Sequence, residues 1–178
     1  ITELQIYDIF SQTWTHSASL LQARRGHACI IDPSSRSLYA VGGLSDPEHP
    51  SEAIEKICIE DLDDLSPSWT HLSSSLIYPV IQTRLVIHKE NILVIGGFYL
   101  DSNDDRKYTN KIQFINTLTE KVGIFADMAY PASGIAAIVV HDILYMFGGL
   151  NNVTDAAWNP SASPTMEPTI NLKIEDTV

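Results

Sequence analysis

Three short apolar runs stop on a pair of adjacent glycines: SLYAVGG at 37–43, ILVIGG at 92–97 and LYMFGG at 144–149. Runs of this length without polar alternation predict strands buried on both faces. A second such run precedes each across a tight polar turn: GHACIID at 26–32, TRLVIH at 83–88 and GIAAIVVHD at 134–142. A strand of mixed character follows each after a polar loop. In IEKICIED (54–61), Ile57 and Ile59 alternate with Lys56, Cys58 and Glu60, which predicts one wet face. KIQFIN (111–116) takes the same place, as does INLKIED (170–176), where Ile170, Leu172 and Ile174 face one way and Asn171, Lys173 and Glu175 the other. SWTHL (68–72) and KVGIFA (121–126) supply a fourth strand to the first two groups, and the third group has none. Upstream, ELQIYDIF (3–10) and TWTHS (13–17) predict the two outer strands of a preceding group whose inner strands are absent. No stretch has sustained helical periodicity, so the expected class is all-β.

The groups are copies of one another. Their first glycines stand at 42, 96 and 148, which are 54 and 52 residues apart. YPVIQTRLVIHKENILVIGG (78–97) aligns without a gap to YPASGIAAIVVHDILYMFGG (130–149), and TWTHS recurs in SWTHL. A period near fifty makes the repeat the unit of the fold. The units predicted are the outer strands of a preceding unit at 1–22, complete units at 23–75 and 76–127, and an incomplete one at 128–178 with a long loop at 150–169.

Four-stranded units at this spacing, with the three glycine pairs, Trp14 and Trp69 on outer strands and RRGHA at 24–28, resemble the kelch family of β-propellers. The resemblance covers about residues 14–174. It departs from the family pattern in the second unit, which has Val122, Ile124 or Phe125 where a Trp would stand, and in the third, which lacks the Arg-x-Gly-His entry. The resemblance implies a kelch-type propeller segment of four-stranded antiparallel blades forming an incomplete ring. It gives Gly42, Gly43, Gly96, Gly97, Gly148 and Gly149 a structural role: they end each second strand near the crowded centre, where a Cβ would obstruct the turn or the next blade. Trp14 and Trp69 become covers over a neighbouring blade. A ring needs roughly four to eight blades, so either a longer chain or further copies of this one complete it, the incomplete end blades offering an edge for a partner's strand.

A net charge of −11 leaves no basic footprint for a nucleic-acid backbone. The longest apolar run, IAAIVV at 135–140, ends at His141, far short of the roughly 18 residues of a membrane helix. No catalytic, cofactor or metal constellation stands out: HExxH, CxxC and GxSxG are all missing, the glycine pairs lack the rest of a P-loop, and His16 and His71 occupy repeated outer-strand positions, with His27 in the entry motif. In the loop YLDSNDDRK (99–107), Asp101, Asn103 and Asp105 alternate as oxygen ligands of Ca²⁺ would, but the Gly and distal Glu of an EF-hand are missing, which favours a solvated acidic loop. EDLDDL (60–65) reads as a turn. Cys29 and Cys58 fall on the first and third strands of one unit, about two strand spacings of roughly 4.8 Å apart, too far for a disulfide.

In a propeller the loops 44–53, 98–110 and 150–169 share a face with 20–25, 76–81 and 128–133, and loops on a rigid scaffold are where recognition concentrates. Candidate recognition residues there are Arg24, Arg25, Asp46, Glu48, Asp101, Asn103, Asp105 and Trp158. The two arginines have two readings: anchors for an acidic partner group, or partners of Asp46 or Glu48. The insertion after Gly149 is rich in Ser, Thr and Pro and carries the acceptor Asn152-Val153-Thr154, a candidate for glycosylation, with Ser161, Ser163, Thr165 and Thr169 as O-linked candidates. The expected function is a protein-interaction or structural-assembly module, extracellular or at the cell surface, acting through a protein partner or self-association. An intracellular kelch adaptor is the alternative, and a propeller enzyme with its chemistry elsewhere the third.

Overall fold

The computed structural model describes residues 2–45, 49–63, 67–151 and 170–173. Its strands are β1 (Leu4–Asp8), β2 (Thr13–Ser17), β3 (Arg24–Arg25), β4 (Ala28–Asp32), β5 (Ser37–Val41), β6 (Leu44–Ser45), β7 (His49–Pro50), β8 (Ile54–Cys58), β9 (Thr70–His71), β10 (Arg84–His88), β11 (Asn91–Ile95), β12 (Phe98–Leu100), β13 (Arg106–Tyr108), β14 (Lys111–Asn116), β15 (Val122–Asp127), β16 (Ala136–Val140), β17 (Ile143–Phe147) and β18 (Ile170–Lys173). A 3-10 turn at Glu60–Asp63 stands where EDLDDL predicts a turn. The protein is all-β.

Two antiparallel sheets have four strands each, in the orders β4-β5-β8-β9 and β10-β11-β14-β15. A third has the order β16-β17-β18, and β1 pairs with β2 alone among the described residues. We refer to the first two as blades one and two and to the third as blade three. Cys29 on β4 and Cys58 on β8 are separated by β5, and both are free thiols.

The core lies between the sheets. On β11, Ile92 and Val94 pack toward blade one with Tyr39, Val41 and Leu85, whereas Leu93 and Ile95 pack toward blade three with Ala137, Leu144 and Met146. Successive side chains of a strand point to opposite faces, so a central strand flanked on both sides becomes a continuous apolar run. A third apolar layer joins β1 and β2 to blade one. Here Trp69 is only 4% exposed, packs with Ala40 and Ile57 against Leu4, Ala18 and Leu20, and donates its indole N–H to the Ala18 carbonyl at 3.1 Å. Trp14, its counterpart on β2, is 65% exposed and touches Tyr7 with ring centroids 4.9 Å apart. No described unit lies beyond β1 and β2 for it to cover.

The glycine pairs sit where blades meet. A Cβ on Gly42 would lie 2.4 Å from the Val80 carbonyl oxygen, and one on Gly96 2.3 Å from that of Ala132, each on the next blade's entry loop. The second glycine of each pair bonds that same carbonyl: Gly43 N–H to Val80 at 2.9 Å and Gly97 N–H to Ala132 at 2.8 Å. Further in, Gln82 N–H donates to Gly26 and Gly134 N–H to Gln82, both at 2.9 Å. A chain of backbone bonds thus runs from blade to blade beside the apolar layers.

At the rim, Glu120 fastens blade two to blade one. Its carboxylate accepts from Lys56 Nζ at 2.5 Å and from the Ser73 amide and hydroxyl at 3.0 and 2.9 Å. The Lys56 ammonium first, and then Ser73, hold the carboxyl down at about 2. An unfolded Glu titrates at about 4.3. The stabilisation is therefore complete above that value and disappears as pH falls through the folded one. Glu120→Gln is expected to lower the melting temperature at pH 6, with the gap from wild type closing between about pH 4 and 2; a gap that stays constant over that range would remove the charge from the account.

Candidate functional site

Each blade joins its entry segment to the segment leaving its glycine pair. Arg25 pairs with Leu44, Ile81 with Phe98 and Ser133 with Leu150, which brings both sets of loops to one face. The short strands on this face, β3-β6-β7 and β12-β13, are absent from the strands read in the sequence, because two- or three-residue strands carry no measurable period. Ile81, Phe98 and Tyr108 form an apolar base here with Leu44 and Leu100, and the Arg106 guanidinium lies 5.0 Å from the Phe98 ring centre. Leu21, Ile77, Tyr78, Tyr99, Tyr130 and Leu150 leave their side chains exposed on these loops.

In the hairpin β12-β13, Asp101, Asn103 and Asp105 are bonded to one another and to Lys107. Asp101 Oδ1 accepts the Asn103 and Asp105 amides at 2.8 and 3.1 Å, and Lys107 Nζ lies 3.3 Å from its Oδ2 and 3.8 Å from Asp105 Oδ2. The Asn103 amide is the chief cause of a lowered Asp101 carboxyl pKa. The alternation closes a turn with its own lysine, and among the described residues no cluster of His, Cys, Asp and Glu could hold a metal ion.

Arg24 and Arg25 part company. Arg25 is exposed, but Arg24 is buried: its guanidinium donates to Glu55 Oε1 at 2.5 Å, to the Gly42 and Ala53 carbonyls at 2.9 and 3.1 Å, and to Gln22 Oε1 at 3.3 Å. Arg24 is therefore not available to a partner, and its acid is Glu55. On β8, Lys56 and Cys58 are half-buried and Glu60 just beyond is exposed, on the side the alternation predicts to be wet, whereas Glu55 lies on the opposite face, buried with Ile57. Glu55 Oε2 accepts the Leu21 amide at 2.7 Å, so one carboxylate fixes the whole entry loop of blade one. In blade two, Gln113 holds the same register, accepting the Tyr78 amide at 3.0 Å and donating to the Tyr78 carbonyl at 2.9 Å. The sequence did carry a signal for this clamp: a Glu or Gln follows the first apolar residue in IEKI, IQFI and LQIY.

Asp46, Glu48, Asn152 and Trp158, together with Ser161, Ser163, Thr165 and Thr169, lie outside the described residues. His27 is half-buried beside Arg24, and burial first, then that cation, lowers its pKa.

No family model matches the chain. It is 26% identical over 160 residues to Kelch-like protein 25 of Xenopus tropicalis and 28% identical over 160 residues to Kelch-like protein 25 of Xenopus laevis, covering 87% of this chain in each case. The chain spans about a quarter of the length of these curated relatives, 26% of each. In its antiparallel four-stranded sheets, its glycine pairs and its sequence similarity alike, the chain resembles, at a distance, the kelch-repeat β-propellers.

Proposed function

We propose that the chain is a protein-interaction module that presents a partner-binding surface on its loop face. One observation carries the reading: buried clamps and backbone bridges rigidify both sets of loops while leaving Leu21, Ile77, Tyr78, Tyr99 and Tyr130 exposed upon them. Aromatic side chains on a fixed scaffold contribute large contact area at small entropic cost. Similarity to kelch-like proteins supports an interaction role. The adaptor setting needs nothing more than this face, whereas the extracellular setting rests on the Asn152 acceptor and its insertion. Mass spectrometry of protein from its native source separates them, a glycan on Asn152 favouring the surface setting.

The test of the module is comparative. Partners retained by the wild-type chain are quantified against a Tyr99→Ala/Tyr130→Ala variant and against Leu118→Ala, which removes an exposed apolar side chain from the opposite, β14-β15 turn. Retention is expected to fall at least about tenfold for the loop-face variant, the loss of two interface aromatics at about 1 kcal/mol or more each, and to stay unchanged for Leu118→Ala. Equal retention by both would sink the reading.

A further inference from the structure

We propose that the outer edge of blade two is a homodimer site, β15 of one copy pairing antiparallel with β15 of a second about a two-fold axis at Ile124. β15 is bonded on one side only, to β14, and ends its sheet. The outermost strand of a blade faces away from the neighbouring blades, so the site does not depend on how many blades the full protein holds.

An open strand edge offers unpaired N–H and C=O groups to another chain, and natural edges are blunted by shortness, proline, charge or a bulge. β9, the outer strand of blade one, is two residues long. β15 is six residues long, and positions 122–126 within it hold neither charge nor proline. Asn116 N–H donates to the Lys121 carbonyl at 2.8 Å. Counting on from that bonded pair, the antiparallel alternation turns the main-chain groups of Val122 and Ile124 away from β14. The blunting device present is a bulge, which skips Phe125 in the pairing with β14. It increases the twist beyond Ile124 and leaves 122–124 in regular register.

Charge selects a second copy as the occupant. Lys121 and Asp127 are equidistant from Ile124, so an antiparallel pair centred there sets Lys121 opposite the partner's Asp127 at both ends. Lys121 is exposed and makes no ion pair among the described residues. The Asp127 carboxylate is half exposed and receives Lys111 Nζ at 2.8 Å, which leaves acceptor sites for a second ammonium. Ile124, 41% exposed, meets its own copy on the axis and is covered there. Such a contact is self-complementary, as an isologous two-fold interface must be. β2, the other long outer strand, lacks this symmetry: it holds no lysine, arginine or acid, and its His16 is bonded to Glu3 at 2.8 Å.

A single strand pair is a small interface, so the equilibrium is read by sedimentation of the protein over a range of concentrations. The wild type is expected to associate. Ile124→Lys sets two ammonium groups together on the axis and is expected to weaken association about tenfold or more, with an unchanged circular dichroism spectrum. Lys121→Asp and Asp127→Lys are each expected to associate poorly alone, and their equimolar mixture to restore the dimer, since both end pairs are then of opposite charge. For the register, Ile124→Cys in a Cys29→Ser/Cys58→Ser background is expected to oxidise to a covalent dimer. A wild type that stays a single chain, an association that Ile124→Lys leaves unchanged, a mixture no tighter than its components, or no covalent dimer would each overturn the proposal. β15 lies on the outer rim and not on the loop face, so these outcomes are separate from partner retention.

Discussion

Arg24→Met is expected to cost about 3–5 kcal/mol of folding stability, the usual consequence of stranding one charge of a buried pair. Both side chains of the Arg24–Glu55 pair are fully buried. Removing the guanidinium leaves the Glu55 carboxylate with only the Leu21 amide, and leaves the Gly42 and Ala53 carbonyls without their side-chain donor. The loss is measurable as a shift in the urea midpoint at pH 7. Arg24→Met/Glu55→Leu is expected to recover much of it, because an apolar pair of similar volume needs no compensation. Recovery stays partial, since the Leu21 amide then lacks its acceptor. Gln113→Leu, at the equivalent neutral clamp, is expected to cost less, about 1–3 kcal/mol for the buried polar groups of Tyr78 left unpaired. An Arg24→Met loss below that of Gln113→Leu would mean that water or a neighbouring group reaches Glu55.

The contrast between these clamps shows what a sequence states and what it withholds. Strand order was legible, because an apolar run ending in Gly-Gly and repeated at 42, 96 and 148 reports both a strand buried on two faces and its end. Free thiols followed from that order, Cys29 and Cys58 being two strands apart. The partner of Arg24 was not legible, since Glu55 is 31 residues away and falls on the apolar side of the strand, in step with Ile57 and Ile59, where the alternation calls for no charge. The shared loop face expected of a propeller pointed instead to Asp46 or Glu48, or to an acidic group of a partner. Asp101, Asn103 and Asp105 have the spacing of metal ligands, yet their backbone amides and Lys107 use that spacing to close a hairpin. Trp14 and Trp69 recur in sequence but differ in burial, because coverage depends on whether a neighbour lies on the indole's side.

Gly96→Ala and Gly148→Ala place one methyl at the same point of the repeat, and their outcomes are expected to differ by several kcal/mol. Both glycines have positive φ, 56° and 65°, so each substitution incurs about 1–2 kcal/mol of left-handed strain. Gly148→Ala is expected to lose little more, its Cβ meeting nothing within 4 Å among the described residues. At Gly96 the same Cβ would stand 2.3 Å from the Ala132 carbonyl oxygen and 2.8 Å from Met128 Cε. The methionine can turn aside, but the carbonyl cannot move without breaking the Gly97 N–H bond of 2.8 Å that joins blades two and three. Overpacking adds about 1–3 kcal/mol, and loss of the bond about 1 kcal/mol more, for a total of roughly 3–6 kcal/mol. Chemical denaturation measures both variants, and hydrogen exchange at the Gly97 amide locates the damage: protection should collapse in Gly96→Ala and persist in Gly148→Ala. Equal losses would show that backbone strain alone fixes these glycines, with the neighbouring blade playing no part.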